Sequence, residues 1–421
     1  MSRLSSPSTT PRSMRGLAVA ALTALTAMSV AAAPAAAVTG PEVGANAPRH
    51  NPADELRAEL DEMRQEVKEA KRNRSNDALQ KQLNGLVKKH KFPGALAAVR
   101  DSKGRTSHYT AGVGNLRSKA KVPVDGYVRI ASNTKTFTAV AVLQLVGEGK
   151  VKLDEPIETY LPKLLRGKSG DGRKITVRHL LQHTSGLPNY TRWMPNIFDA
   201  RDEYRSPREL LKIAFAHKAS FAPGKKWEYS NTGYTVLGLL IEKVTGKPVS
   251  KAITDQVIKR AGLRQTYWPG KKVKTIRDPH PTGYGSRKPG GKLLDITNLD
   301  PSWGGAAGQL IATPSDLNRF WVALMDGKLL KPAQLKAMKK TVKAPGMPGG
   351  WRYGLGLMKM PLSCGGVAWG HGGDIDGYET RGGITDDGRA AAIAVTALPT
   401  ADAAAMSVIK AADTALCAKK R

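Results

Sequence analysis

Strand-like runs at both ends of the globular sequence, with a long helical stretch between them, constrain this chain more than any other feature. Gly94 to Val99 and His108 to Val113 face each other across the turn Asp101-Ser102-Lys103-Gly104 and read as a β-hairpin. Far downstream, Gly366 to Trp369, Tyr378 to Ile384 and Ala390 to Leu398 read as three more strands, the last two joined through Asp387-Gly388. Leu79, Leu83, Leu86 and Val87 mark one face of a helix before the hairpin, and an Ala-rich helix over about 401–416 follows the last strand. The pattern predicts an α+β fold: one antiparallel five-stranded sheet drawn from about 76–130 and 350–421, flanked by helices and carrying a mainly helical insertion over about 150–300.

The middle supplies its own punctuation. Thr313-Pro314-Ser315-Asp316 offers an N-cap, a proline at the first helical position and an acid at N3, ahead of Leu317, Phe320, Trp321 and Leu324 at helical spacing. Asn231 to Val244 is a second amphipathic run, closed by Gly246 and Pro248. The chain has no internal repeat and no phosphate-cradling glycine loop.

The first residues read as an address. Arg3, Arg12 and Arg15 precede an apolar small-residue stretch from Leu17 to Ala33, and Ala35-Ala36-Ala37 matches the pattern that signal peptidases cut. The expectation is a signal peptide over 1–37, cleaved near Ala37, and a secreted protein; the Ala/Thr-rich run is weakly hydrophobic for a membrane anchor. Residues 38–75 read as a Pro/Gly/Ala/Asn-rich linker and a charged helical extension, in which Leu56, Leu60, Met63 and Val67 form one narrow apolar stripe. Residues 76–421 read as the globular domain.

Charge narrows the partners. The chain carries 66 Lys+Arg against 35 Asp+Glu, a formal net charge of +31, which favours anionic partners without specifying a chemistry. Export makes nucleic acid an unsuitable partner and leaves anionic cell-wall polymers as the expected one. The two cysteines, Cys364 and Cys417, read in an oxidising compartment either as a disulfide stapling the C-terminal segment or as two buried thiols.

Three short segments bear chemistry. At Ser132-Asn133-Thr134-Lys135 a hydroxyl and an amine lie three apart, nearly one turn, so both share a face just before the buried helix marked by Phe137, Val140, Leu143 and Val146. A lysine at the mouth of an apolar helix loses solvation, which favours the neutral amine and lets it take the serine proton. The same Ser-x-x-Lys spacing occurs at Ser118 to Lys121 and at Ser407 to Lys410, so only the setting singles out Ser132. Tyr229-Ser230-Asn231 adds a phenol to relay protons and an amide to hold a carbonyl and orient the lysine. Trp369-Gly370-His371-Gly372-Gly373-Asp374 adds glycines at a strand end, where main-chain N–H groups can face an oxyanion. Together they provide a nucleophile, a base, a relay and oxyanion donors for covalent acyl transfer.

In this order the three segments resemble the motifs of serine penicillin-recognising enzymes, the superfamily of class C β-lactamases and secreted D-alanyl-D-alanine carboxypeptidases. Leu181-Gln182-His183-Thr184-Ser185-Gly186-Leu187 and the stretch from Ala306-Ala307-Gly308 to Phe320 are similar to that family too, as is the C-terminal cysteine pair. The resemblance covers about 76–421 and implies the β-lactamase/DD-peptidase fold. It also implies roles: Ser132 as the acylated nucleophile, Lys135 as its activating partner, Tyr229 in proton transfer, Asn231 gripping the substrate carbonyl and His371 in the catalytic strand motif. The N–H groups of Ser132 and Asp374 become the oxyanion hole, and Trp303 an aromatic wall. Gly372, Gly373, Asp374 and Lys359 line the substrate site, and Cys364 pairs with Cys417.

Two departures bear on specificity. Where the secreted carboxypeptidases carry an arginine for the terminal carboxylate, this chain has Met358, beside Lys359, and it has Gly372 and Asp374 where they place threonines. An acid there is expected to repel a carboxylate. The sequence reading is an exported serine hydrolase, a D-alanyl-D-alanine carboxypeptidase-like enzyme cleaving cell-wall peptides. An esterase or class C-type β-lactamase with the same site is the alternative, and a silent wall-binding protein the third. The expected partner is a small-molecule or peptide substrate, a D-amino-acid peptide or ester, bound by a monomer with no cofactor. His179 and His183, four apart, could suggest zinc, but no acid sits between them and Gly186 with Pro188 ends the helix, so no metal is expected.

Overall fold

A computed structural model describes residues 57, 60–61, 78–288 and 290–418. The expected signal peptide lies outside the described residues, as does the linker and extension apart from 57, 60 and 61, which are helical. Helix α1, over residues 78–88, leads into the hairpin β1 (Gly94–Arg100) and β2 (Thr106–Gly112), paired in full register from Gly94 opposite Gly112 to Arg100 opposite Thr106. The helical middle holds α2 (Thr134–Gly147), α3 (Pro207–Phe215), α4 (Asn231–Thr245) and α5 (Pro314–Met325). The chain then returns as β3 (Val342–Lys343), β4 (Arg352–Tyr353), β5 (Met358–Pro361), β6 (Val367–Gly370), β7 (Gly373–Ile375), β8 (Tyr378–Thr385) and β9 (Ala390–Val395), before α6 (Asp402–Leu416).

One antiparallel nine-stranded sheet runs β2-β1-β9-β8-β6-β5-β4-β3, with β7 also on β8. The strand from the C-terminal half, β9, sits against β1 from the N-terminal half, Ala95 opposite Val395, so the sheet is closed by residues 300 positions apart in sequence. The five expected strands are contiguous, β2-β1-β9-β8-β6, and run inward from one edge of the sheet. The structure adds β3, β4, β5 and β7, each of two to four residues, too short for period-two alternation to register in the sequence.

Alternation along the strands divides the core. Ala97, Ile393 and Val395 pack with Leu83, Val408 and Leu416 against α1 and α6, while Leu96, Ala392 and Ala394 pack with Phe137, Phe320 and Leu324 against α2 and α5. Helix α2 is buried on every side from Thr134 to Leu145, apolar except for Thr134, Lys135, Thr136, Thr138 and Gln144, each of whose side chains makes a hydrogen bond. Helix α5 starts as its sequence dictates, with Thr313 Oγ1 accepting the Asp316 N–H at 3.3 Å and Pro314 at the first position. Helix α4 ends on Gly246 at φ 66°. Cys364 and Cys417 form a disulfide, Cα–Cα 5.7 Å, tying the β5–β6 turn to the end of α6. No described helix is long and apolar enough to cross a membrane.

Candidate active site

The site forms where α2 begins. Ala131, at φ 44°, turns the chain sharply between a short strand at Val128–Arg129 and the single 3₁₀ turn Ala131–Asn133 that precedes α2. Ser132 is half-buried on that turn, and Lys135 follows one helical turn on. The turn is pinned from below: Asn133 Nδ2 donates to Ile130 O at 2.9 Å and to Thr380 Oγ1 of β8 at 2.8 Å. Strand β7 presses directly on it. A Cβ at Gly373 would lie 2.2 Å from Ile130 O and 2.9 Å from Asn133 Nδ2, so this position admits only glycine.

Lys135 is fully buried. Its Nζ lies 2.7 Å from Asn231 Oδ1, 2.8 Å from Ala307 O and 3.0 Å from Ser132 Oγ. Two of these partners are oxygens that only accept. A neutral amine has two N–H donors and one lone pair, so with both donors engaged the lone pair faces the serine hydroxyl. Desolvation drives the Lys135 amine well below the usual lysine range, opposed only in part by the charge of Asp374. Geometry and electrostatics thus agree on an uncharged Lys135 amine whose lone pair faces the Ser132 hydroxyl.

Tyr229 and Asn231 come from the turn into α4. Ser230 is extended, at φ −142°, so Tyr229 and Asn231 flank it as the helix begins, and the Asn231 N–H is anchored on Asn189 Oδ1 at 3.1 Å. Lys135 Nζ stands 4.8 Å from the Tyr229 ring centre. Burial holds the Tyr229 phenol well above the usual range, with the Ser132 hydroxyl pulling the other way. Tyr229 is therefore a phenol, not a phenolate, across ordinary pH.

The third segment forms the corner between β6 and β7. His371 is buried; its Nδ1–H donates to Gly372 O at 2.6 Å and its Nε2 accepts from the Tyr353 hydroxyl at 2.9 Å. Burial pushes it down to about 3, so it is a neutral ring propping the strand corner and carries no charge to the nucleophile. Its ring centre lies 6.3 Å from that of Tyr229, beside the Ser132 site. The Asp374 carboxylate pairs with Arg381 at 2.7 Å, and Arg381 also contacts the buried Glu379 at 2.8 Å. The acid expected to repel a substrate carboxylate is thus matched by a guanidinium.

Met358 is buried with the residues that face α1 and α6, opposite Gly370 in register. Lys359 lies opposite Trp369, its Nζ 5.9 Å from that ring. Trp303 is half-buried on the turn Pro301–Trp303 and accepts at its carbonyl from Tyr190 Oη at 2.5 Å. Its place beside Tyr190 comes from that hydrogen bond.

Sequence reasoning passed over several supports. The Ala307 carbonyl holds Lys135. His183, at φ 59° and fully buried, accepts the Ser230 N–H on Nδ1 at 3.2 Å and packs its ring against Tyr229, the ring centres 4.3 Å apart and the planes tilted by 39°. Burial beside Lys135 keeps His183 neutral. Both lie in the phrases resembling the family, which was the available signal, although main-chain and stacking roles leave no side-chain signature. His179 closes a capping box with Thr176. Among the described residues no group of three or more His, Cys, Asp or Glu side chains is placed to hold a metal.

The Beta-lactamase family model matches residues 77–415. A D-stereospecific amidohydrolase from Streptomyces sp. superposes with a TM-score of 0.74 and 38% identity, over 80% of this chain and 98% of that one. The D-amino acid amidase from Ochrobactrum anthropi SV3, complexed with L-phenylalanine amide, gives 0.73 and 30%, over 82% and 98%. Penicillin-binding protein 4* of Bacillus subtilis is 30% identical over 190 residues, 45% of this chain and 40% of that protein. The chain spans about half or less of the curated relatives it matches, 40% of that protein and 54% of the putative penicillin-binding protein PbpX of Bacillus subtilis. With a model spanning most of its length and solved relatives superposing almost whole, the chain belongs to the Beta-lactamase family and has the serine penicillin-recognising fold.

Proposed function

We propose that this protein hydrolyses the amide bond of D-amino-acid derivatives through an acyl-enzyme on Ser132, in or beyond the cell envelope. The observation that carries the reading is the buried, uncharged Lys135 amine, 3.0 Å from Ser132 Oγ. Ser132 Oγ attacks the amide carbonyl carbon while its proton passes to Lys135 Nζ. The developing oxyanion takes hydrogen bonds from the N–H groups of Ser132 and Asp374, and Asn231 and Trp303 orient the substrate. As the C–N bond breaks, the Tyr229 phenol gives its proton to the leaving nitrogen and regains one from the Lys135 ammonium. Water then attacks the ester carbonyl and gives a proton to Lys135; as the bond to Ser132 Oγ breaks, Lys135 returns that proton to Oγ, restoring the serine and the neutral amine, and the acid departs.

Substrate class follows from the cation that is missing. No guanidinium stands at Met358, so a free terminal carboxylate has no fixed partner there, whereas a neutral terminal amide needs none. The similarity to a D-stereospecific amidohydrolase and a D-amino acid amidase supports the same choice. The carboxypeptidase reading keeps one observation in its favour, the similarity to penicillin-binding proteins, with Lys359 as the alternative cation. Export, cleavage near Ala37, attraction to anionic wall polymers and a monomeric state belong to the same proposal, resting on the arginine-led N-terminal stretch, the disulfide and the net charge.

The test compares D-phenylalanine amide, L-phenylalanine amide, an N-acylated D-Ala-D-Ala peptide and a penicillin, with mass spectrometry and peptide mapping of any adduct. Release of ammonia from the D-amide, with a penicillin adduct on Ser132, is expected. Cleavage of the D-Ala-D-Ala peptide alone favours the carboxypeptidase, turnover of only esters or β-lactams the hydrolases of that kind, and no adduct the silent protein.

A further inference from the structure

A groove on the helical region is lined by none of Ser132, Lys135, Tyr229 and Asn231. Residues 160–164, α3 and α4 enclose a groove of about 750 Å³, within the range of about 300–1,000 Å³ typical of small-molecule sites. Its floor is apolar: Tyr160, Leu161, Leu164, Phe215 and Leu239 pack on the core yet remain only half-buried, so each keeps apolar surface open to the groove. Its rim is cationic: Lys163, Arg208, Lys212 and Lys243 are exposed, and no lining residue is acidic. None of the four makes an ion pair within the described residues. The acids carried nearby are already engaged, Glu158 by Arg166, Glu209 by Ser206, and Glu242 by the Val249 N–H. Asn231 and Lys243 are twelve residues apart on α4, or about 18 Å at the α-helical rise, so the groove is separate from the catalytic cleft.

Neither half of this arrangement accounts for the other. An apolar strip alone suits any greasy surface, and scattered lysines alone suit any solvated face. Four unpaired cations ringed around five half-exposed apolar side chains match one ligand chemistry: an alkyl chain ending in an anionic head, the chain on the floor and the phosphate or carboxylate at the rim. We propose that this groove binds a single anionic amphiphile, independently of the catalytic site and whatever its substrate is.

The test titrates the full-length protein calorimetrically with dodecyl phosphate below its micelle concentration, and in parallel with inorganic phosphate, inorganic polyphosphate and the uncharged detergent dodecyl maltoside. Binding of dodecyl phosphate at one site, at least about tenfold tighter than inorganic phosphate or dodecyl maltoside, is expected. Arg208→Glu with Lys212→Glu removes it by about tenfold or more, while the charge-matched pair Lys88→Glu with Lys336→Glu, placed elsewhere, leaves it unchanged. Penicillin labelling of Ser132, or the melting temperature where no adduct forms, reports that each variant is folded. Equal affinity of wild type and the Arg208/Lys212 variant overturns the site. Polyphosphate binding as tightly as dodecyl phosphate overturns the amphiphile and makes the rim a polyanion surface, and dodecyl maltoside binding as tightly overturns the role of charge.

Discussion

The chain contains the same Ser-x-x-Lys spacing on two helices, with opposite surroundings. At Ser132 and Lys135 the lysine enters a fully buried helix, and its amine touches only two carbonyl-type oxygens and the serine. At Ser407 and Lys410 the pair rides the outer side of α6: Lys410 is exposed, and Ser407 Oγ is taken up by His90 Nε2 at 2.8 Å and Ala403 O at 2.9 Å. A third pair, Ser118 and Lys121, has an exposed lysine too. Helical spacing brings the two side chains to one face, but only desolvation turns an ammonium into a base. The same contrast separates Lys135 from the exposed lysines of the amphiphile groove, which serve as charges because water still reaches them.

The contrast breaks most sharply with Lys135→Arg. A guanidinium keeps the positive charge and cannot be deprotonated, so kcat/KM for any substrate of the wild type is expected to fall by at least about 10³-fold. The matching change Lys410→Arg leaves kcat/KM within twofold, about the noise of such assays. Steady-state kinetics on both variants decide it; equal losses would erase the distinction drawn between the two pairs.

Gly373→Ala sharpens the claim that the serine turn is held by β7. Its Cβ would sit 2.2 Å from Ile130 O, so the strand must retreat, and a shift near 1 Å is expected to lower kcat by about 10²-fold. Circular dichroism would show the fold retained, and unchanged kcat would contradict the close approach. Tyr353→Phe removes the donor to His371 Nε2 and leaves a buried acceptor unpaired, a cost of about 1–3 kcal/mol in urea unfolding. Because His371 is a prop, its pH–rate profile keeps its shape; an altered profile would restore a proton-transfer role to His371.

The smallest effect concerns the ion cluster behind the strand. Burial raises Glu379 to about 7, above its unfolded value near 4.5, even with Arg381 beside it. A raised carboxyl favours folding below the unfolded value and loses that contribution as pH climbs through the folded one. Unfolding free energy is therefore expected to decline between about pH 4.5 and 7, and Glu379→Gln to flatten that slope, gaining about 1–3 kcal/mol at pH 8. A flat wild-type profile across that interval would contradict the assignment.

Much of this architecture was legible because it is written in local patterns. The hairpin, the three C-terminal strands and the helices at Asn231 and Pro314 announce themselves through alternation, caps and glycine stops. The three chemical segments are legible for a related reason, since each packs reactive side chains into a few residues. What escaped is long-range. Ala307 reaches Lys135 with a main-chain oxygen 172 positions away, and His183 meets Tyr229 and the Ser230 N–H from 46 and 47 positions upstream. Which face of the sheet takes Met358 and which takes Lys359 depends on a four-residue strand whose register is set by its neighbours.

Titration of the Lys135 side chain by heteronuclear NMR, assigned by comparison with Lys135→Arg, tests the central claim most directly. A signal that loses its proton well below the crowd of exposed lysines, and that shifts when Ser132 is acylated, is the result this structure requires. A Lys135 signal titrating with that crowd, near the ordinary value of about 10.4, would mean that the amine is charged at working pH and that Ser132 has no base.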